Sequence, residues 1–137
     1  MFLWNTCNLY AQELINPMFN HAKFNGLGAQ NITRAEWDSN DLMWFSSEKG
    51  ISSYNGNSVV HYTADSTSDN TLLSNNIIAF KIDDYDQIWL SYFDTSAISM
   101  FDIAKKRFTH FNNENNQLIP DGMVVNFKII DENSVVL

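Results

Sequence analysis

The chain has 137 residues, 45% of them hydrophobic, with Lys+Arg 8 against Asp+Glu 16 and a net charge of −8. That balance supplies no basic footprint for nucleic acid, and no stretch approaches the roughly 20 apolar residues of a membrane span. A single cysteine, Cys7, can form no internal disulfide.

Residues 1–12 read as the remnant of an export signal. Phe2-Leu3-Trp4 opens an apolar stretch, and Tyr10-Ala11-Gln12-Glu13 resembles a cleavage region with a small residue near the cut. A whole signal carries a basic n-region; no basic residue precedes Lys23, so the start is expected upstream of Met1. A plain disordered N-terminus is the alternative. Cys7 lacks the small residues of a lipoprotein cleavage box before it, and lipidation is not expected. Residues 13–30 read as a lead-in strand and loop.

From residue 31 the chain repeats itself with a period of 45 residues. Asn31-Ile32 stands before Asp38 and Trp44 as Asn76-Ile77 stands before Asp83 and Trp89, and Met43-Trp44-Phe45-Ser46 is answered by Ile88-Trp89-Leu90-Ser91. Gly50-Ile51 and Tyr54 correspond to Ala97-Ile98 and Phe101, and His61-Tyr62 to His110-Phe111. The second copy is slightly longer between these anchors, as turns allow.

Within each copy, short β-branched and aromatic runs alternate with turn clusters, which predicts strands rather than helices. The strands are expected at 31–37, 42–47, 50–54 and 58–62, then at 77–83, 88–92, 97–102 and 107–111. Four strands per repeat of about 40 to 50 residues define a propeller blade. Asn55-Gly56 is expected to form a two-residue hairpin turn, where positive φ is needed. Pro17 and Pro120 fall outside the strands.

A third copy begins near residue 123, where Val124-Val125-Asn126-Phe127-Lys128-Ile129 mirrors Ile77 through Ile82. Its Asp position holds Ile130 and its Trp position Val136. The expected fold is all-β, a partial β-propeller of about two and a half four-stranded antiparallel blades: blade 1 at 31–75, blade 2 at 76–122 and a truncated blade 3 at 123–137. Propellers hold about 4 to 8 blades, so the chain reads as the leading part of a longer protein. Taken alone it is expected to associate through open sheet faces and edges.

The run Gly26-Leu27-Gly28-Ala29-Gln30-Asn31-Ile32, followed by Asp38, Trp44-Phe45, Gly50-Ile51, Tyr54 and Tyr62, resembles the two-component regulator propeller repeat. The similarity extends from about residue 19, with Phe19 and His21 matching the last strand before the first full repeat. Two positions depart from the pattern. The usual Gly three residues before the Trp is Asp41 here and Asp86 in the second copy, and the usual Thr after it is Ser47 or Tyr92. Aspartate tolerates the left-handed conformation such a turn requires. The resemblance implies the periplasmic sensor region of a hybrid two-component histidine kinase, anchored in the inner membrane and dimeric. Its implied ligand is an oligosaccharide or other small molecule, and the kinase domains lie elsewhere in the parent.

Trp44 and Trp89 recur in register and read as structural, packing between sheets, rather than as sugar platforms. Asp38 and Asp83 recur with them, which favours turn capping over a glycosidase-type carboxylate pair; adjacent Asp83 and Asp84 point to opposite sides of a strand end. His21, His61 and His110 recur on separate blades and suit inter-strand hydrogen bonds. Asp65, Asp69 and Asp84–Asp86 lack the ligand order of a calcium loop. No catalytic residue, metal or cofactor is therefore expected.

A structural role should recur with the blade, whereas a ligand role need not. By that criterion Arg34, Trp37, Tyr92 and Phe93 are the ligand-binding candidates, the last two on an enlarged turn. The expected function is ligand sensing, not enzymatic activity in this chain. A polysaccharide lyase or glycosidase on a propeller, or a lectin-like scaffold, is the alternative.

Overall fold

A computed structural model describes residues 31–114, 119, 122, 124, 126, 128–131 and 134–136 of the chain. The expected signal remnant with Cys7, and the lead-in containing Phe19 and His21, lie outside the described residues.

Ten strands follow in order: β1 (Ile32–Trp37), β2 (Met43–Ser47), β3 (Gly50–Tyr54), β4 (Val59–Tyr62), β5 (Ile77–Ile82), β6 (Gln87–Tyr92), β7 (Ala97–Asp102), β8 (Arg107–Asn112), β9 (Lys128–Asp131) and β10 (Ser134–Val136). They form two four-stranded antiparallel sheets, β1 to β4 and β5 to β8, and the hairpin β9–β10. The protein is all-β, with the successive four-stranded meanders of partial propeller blades, and no helix occurs among the described residues.

The repeat extends to fine geometry. Glu36 pairs with Trp44, Lys81 with Trp89 and Lys128 with Val136. Both complete blades carry an irregularity at one place, between Ile32 and Arg34 in one and between Ile77 and Ala79 in the other. Asp41 and Asp86 adopt φ of 59° and 57°, the left-handed conformation that glycine adopts most readily.

Alternation along the strands gives each sheet two apolar faces. Trp44, Ile51 and Tyr62 of blade 1 pack against Phe80, Ile88, Leu90 and Phe101 of blade 2. Ala79, Trp89 and Ile98, on the opposite face of blade 2, pack against Ile119 of the segment that follows β8 and against Val124 and Ile129 of the third unit. Blades 1 and 2 thus each present their Trp face to the unit that follows, a head-to-tail arrangement. β1 is largely exposed, whereas β5, with a neighbour on both faces, is largely buried.

Hydrogen bonds stitch the seam. The Glu36 carboxylate accepts from the Ile82 backbone N–H at 2.8 Å, satisfying a donor on the free edge of β5. Ser39 donates its backbone N–H and its hydroxyl to the Asp86 carboxylate, joining the β1–β2 turn to the β5–β6 turn. Asn70 accepts the Phe108 N–H at 2.8 Å and donates to the Lys106 carbonyl at 3.0 Å, clipping the outer edge of blade 2 to the connecting loop.

One local expectation is corrected. Asn55-Gly56 is not a two-residue turn: Tyr54 pairs with Val59, so residues 55–58 form a four-residue loop. The Asn55 side chain caps it by accepting from the backbone N–H groups of Asn57 and Ser58. In the third unit the first described strand begins at Lys128. Val124 is buried in the seam, and its carbonyl accepts from the Ser91 hydroxyl at 2.6 Å.

Candidate functional site

Asp38 and Asp83 sit immediately after the first strand of their blades, both buried. Asp38 Oδ1 accepts from the N–H groups of Asn40 and Leu42 at 2.9 and 3.0 Å, while Oδ2 accepts from Trp44 Nε1 at 3.0 Å. Asp83 repeats the arrangement with Tyr85, Gln87 and Trp89 at 3.0, 2.8 and 2.8 Å. Each carboxylate caps a turn and orients an indole. With both oxygens so engaged, neither is placed to act as an acid or base. Trp44 and Trp89 are buried in successive seams, each beside an aromatic of the fourth strand, Tyr62 at 5.6 Å and Phe111 at 6.0 Å between centroids.

The histidines form matching inter-strand bonds, His61 Nδ1 to Ser52 Oγ at 2.9 Å and His110 Nδ1 to Ser99 Oγ at 2.7 Å. Tyr92 donates to the same Ser99 oxygen at 2.8 Å, so the serine hydroxyl is left to donate to His110 Nδ1. Burial pushes the Tyr92 phenol up to about 12 and pulls the His110 imidazole below its ordinary value. Among the described residues no cluster of three or more His, Cys, Asp or Glu side chains is placed to hold a metal ion.

The four ligand-binding candidates do not form one site. Trp37, 52% exposed, ends β1 next to the β1–β2 turn, whereas Phe93, 66% exposed, lies at the opposite end of the sheets after β6. Arg34 is exposed within β1, the edge strand of blade 1 among the described residues. Tyr92 is corrected. It is the last residue of β6, paired with Ile77 and 0% exposed, so it belongs to the core. The strand ends at Tyr92, as the sequence suggests, and alternation within it turns this side chain inward rather than into the enlarged turn. Beside Phe93, the Asp94 carboxylate accepts from Asn76 and Ser74 at 2.9 and 2.8 Å, which holds it below the usual carboxylate range.

The same end that carries Trp37 has a cleft of about 230 Å³ between blade 2 and the third unit. Its walls include Lys81, Asp84, Tyr85, Ile129 and Ile130. Tyr85 is 55% exposed and Ile130 56%. The Tyr85 backbone is pinned by Asp83, which fixes the ring's origin on the turn. Lys81 is held across the top of β5 by Glu36 at 3.6 Å. Apolar side chains, one aromatic ring and both signs of charge line one small volume. The signal for Tyr85 was present in the sequence: an aromatic in the β5–β6 turn where blade 1 has Asn40.

No family model and no curated relative matches the chain. Among solved structures, the fold is similar to the extracellular domain of a protein assigned to a hybrid two-component system of B. thetaiotaomicron, with a TM-score of 0.63 and 17% identity. The match covers 76% of this chain and 16% of that one. The chain thus spans about a sixth of that neighbour's length, and at this identity the likeness is one of fold.

Proposed function

We propose that the chain is part of an extracytoplasmic sensory propeller of a hybrid two-component system, responding to an oligosaccharide. The observation that carries the reading is the fold similarity to such an extracellular domain over most of the chain. The recurring Trp face supports it, because a rigid array of blades suits a module that presents turns to a ligand. Differential affinity of the ligand for two arrangements of a dimeric parent would shift the signalling equilibrium. Trp37, Arg34 and Phe93 are exposed and remain candidates to contact ligand or partner.

The test is phosphotransfer in membrane vesicles containing the intact protein, with a panel of plant and host oligosaccharides added on the extracytoplasmic side. At least one oligosaccharide should change the rate of phosphate delivery. A protein that remains inside the cytoplasm by protease accessibility, or releases reducing ends from the panel, would overturn the reading.

A further inference from the structure

We infer that the cleft between blade 2 and the third unit is a pyranose-binding subsite, with Tyr85 and Ile130 as its apolar walls and Asp84 and Lys81 as its polar contacts. The inference rests on the sensory reading for its ligand class and on the cleft itself for its location.

The argument begins with a broken repeat. In blades 1 and 2 the first strand ends at Trp37 or Ile82, and the next residue, Asp38 or Asp83, turns inward to cap the turn and hold the Trp indole. The third unit has Ile130 at that position and Val136 at the Trp position. The acceptor and its indole donor are replaced together, so no buried polar group is stranded. Without a capping carboxylate the strand continues to Asp131, and Ile130 is exposed toward the cleft instead of tucked beneath a turn.

Tyr85 stands across the same cleft, also where the repeat is broken. An exposed aliphatic side chain and an exposed aromatic ring sharing one small concavity are costly to leave in water. The cleft's volume of about 230 Å³ suits one sugar ring. The apolar C–H face of a pyranose would pack on Tyr85 and Ile130, while its hydroxyls, each both donor and acceptor, would be met by the acceptor Asp84 and the donor Lys81. Of the charged side chains lining the cleft, Asp83 is already engaged by the turn and the Trp89 indole and Lys81 is shared with Glu36, which leaves Asp84 as the free acceptor.

The test uses the 137-residue chain, with maltose, cellobiose and mannobiose as neutral probes, digalacturonate as an acidic one and free leucine as a zwitterion. Calorimetry and amide NMR shifts are the readouts. A neutral disaccharide should move the amides of Lys81 to Tyr85 and of Ile129 and Ile130, and Tyr85→Ala and Asp84→Ala should each weaken it about tenfold or more. Both side chains are exposed, so folding should survive; Val60→Ala, on β4, should bind as the parent does.

Binding of leucine or digalacturonate in place of every neutral disaccharide would overturn the ligand class. Failure of all probes to bind, or binding untouched by Tyr85→Ala, would overturn the site. If an oligosaccharide still alters phosphotransfer in the intact protein when the cleft variants are silent, the subsite falls and the sensory reading stands. Disaccharide binding in the cleft without any phosphotransfer response removes the sensory reading alone.

Discussion

Trp89 donates its indole N–H to the Asp83 carboxylate across 2.8 Å, and the same carboxylate holds the turn that delivers the strand on which Trp89 lies. Forty-five residues earlier, Asp38 and Trp44 do the same. One residue therefore serves local and tertiary structure at once.

Asp83→Ala should destabilise the chain by about 2 to 4 kcal/mol, since it strands a buried indole N–H and two turn amides. Emptying the seam by Trp44→Ala or Trp89→Ala should cost about 3 to 5 kcal/mol. In a urea-denaturation double-mutant cycle, Asp83→Ala with Trp89→Phe should be less than additive. Full additivity would show that the hydrogen bond is energetically silent.

Gly50 and Gly56 separate steric need from backbone preference. At Gly50, φ is +104° and an added Cβ would lie 2.4 Å from the Tyr62 carbonyl oxygen; at Gly56, φ is +89° with nothing within 4 Å. Gly56→Ala should cost about 1 kcal/mol from conformation alone, and Gly50→Ala distinctly more. Thermal melts of the two variants measure the difference.

Asp41 and Asp86 share a left-handed backbone, but among the described residues only Asp86 holds a neighbouring blade, through Ser39 and Asn40. Asp41→Gly should be neutral or mildly stabilising. Asp86→Gly keeps the conformation and loses the clasp, so it should cost about 1 kcal/mol. A lower denaturant m-value would accompany it if blade coupling weakens. Equal effects from both substitutions would assign the clasp no energetic role.

His110 sets an acid-side dependence. Burial lowers its folded pKa, so the fold favours the neutral imidazole. Its stabilising contribution is complete above the unfolded value of about 6.5 and is lost as pH falls through the folded one. Stability should decline on acidification from pH 7, with a shallower slope in His110→Gln. Imidazole NMR titration should show its transition below 6.5.

Tyr92 sets the alkaline counterpart. Its folded pKa is raised from 10.0 to about 12, first by burial. The contribution is complete below the unfolded value and is lost as pH rises toward the folded one. Ultraviolet titration should find a tyrosine ionising only near pH 12, absent from Tyr92→Phe. A tyrosine titrating at pH 10 in every position would place this ring at the surface.

The sequence by itself determined the strands, their grouping into blades and the recurring Asp–Trp positions. These features are written in local alternation and in a fixed period, both of which act over a few residues or repeat identically. It also determined that Asp41 and Asp86 could take a left-handed turn conformation, because φ is a local property. Only the tertiary structure decided that Tyr92 is core, that Asn70 clips the edge of β8 and that Tyr85 meets Ile130 across a cleft. Each depends on residues from different sheets or loops approaching one another. Strand periodicity says which sides of a sheet are apolar; it does not say what arrives to cover them.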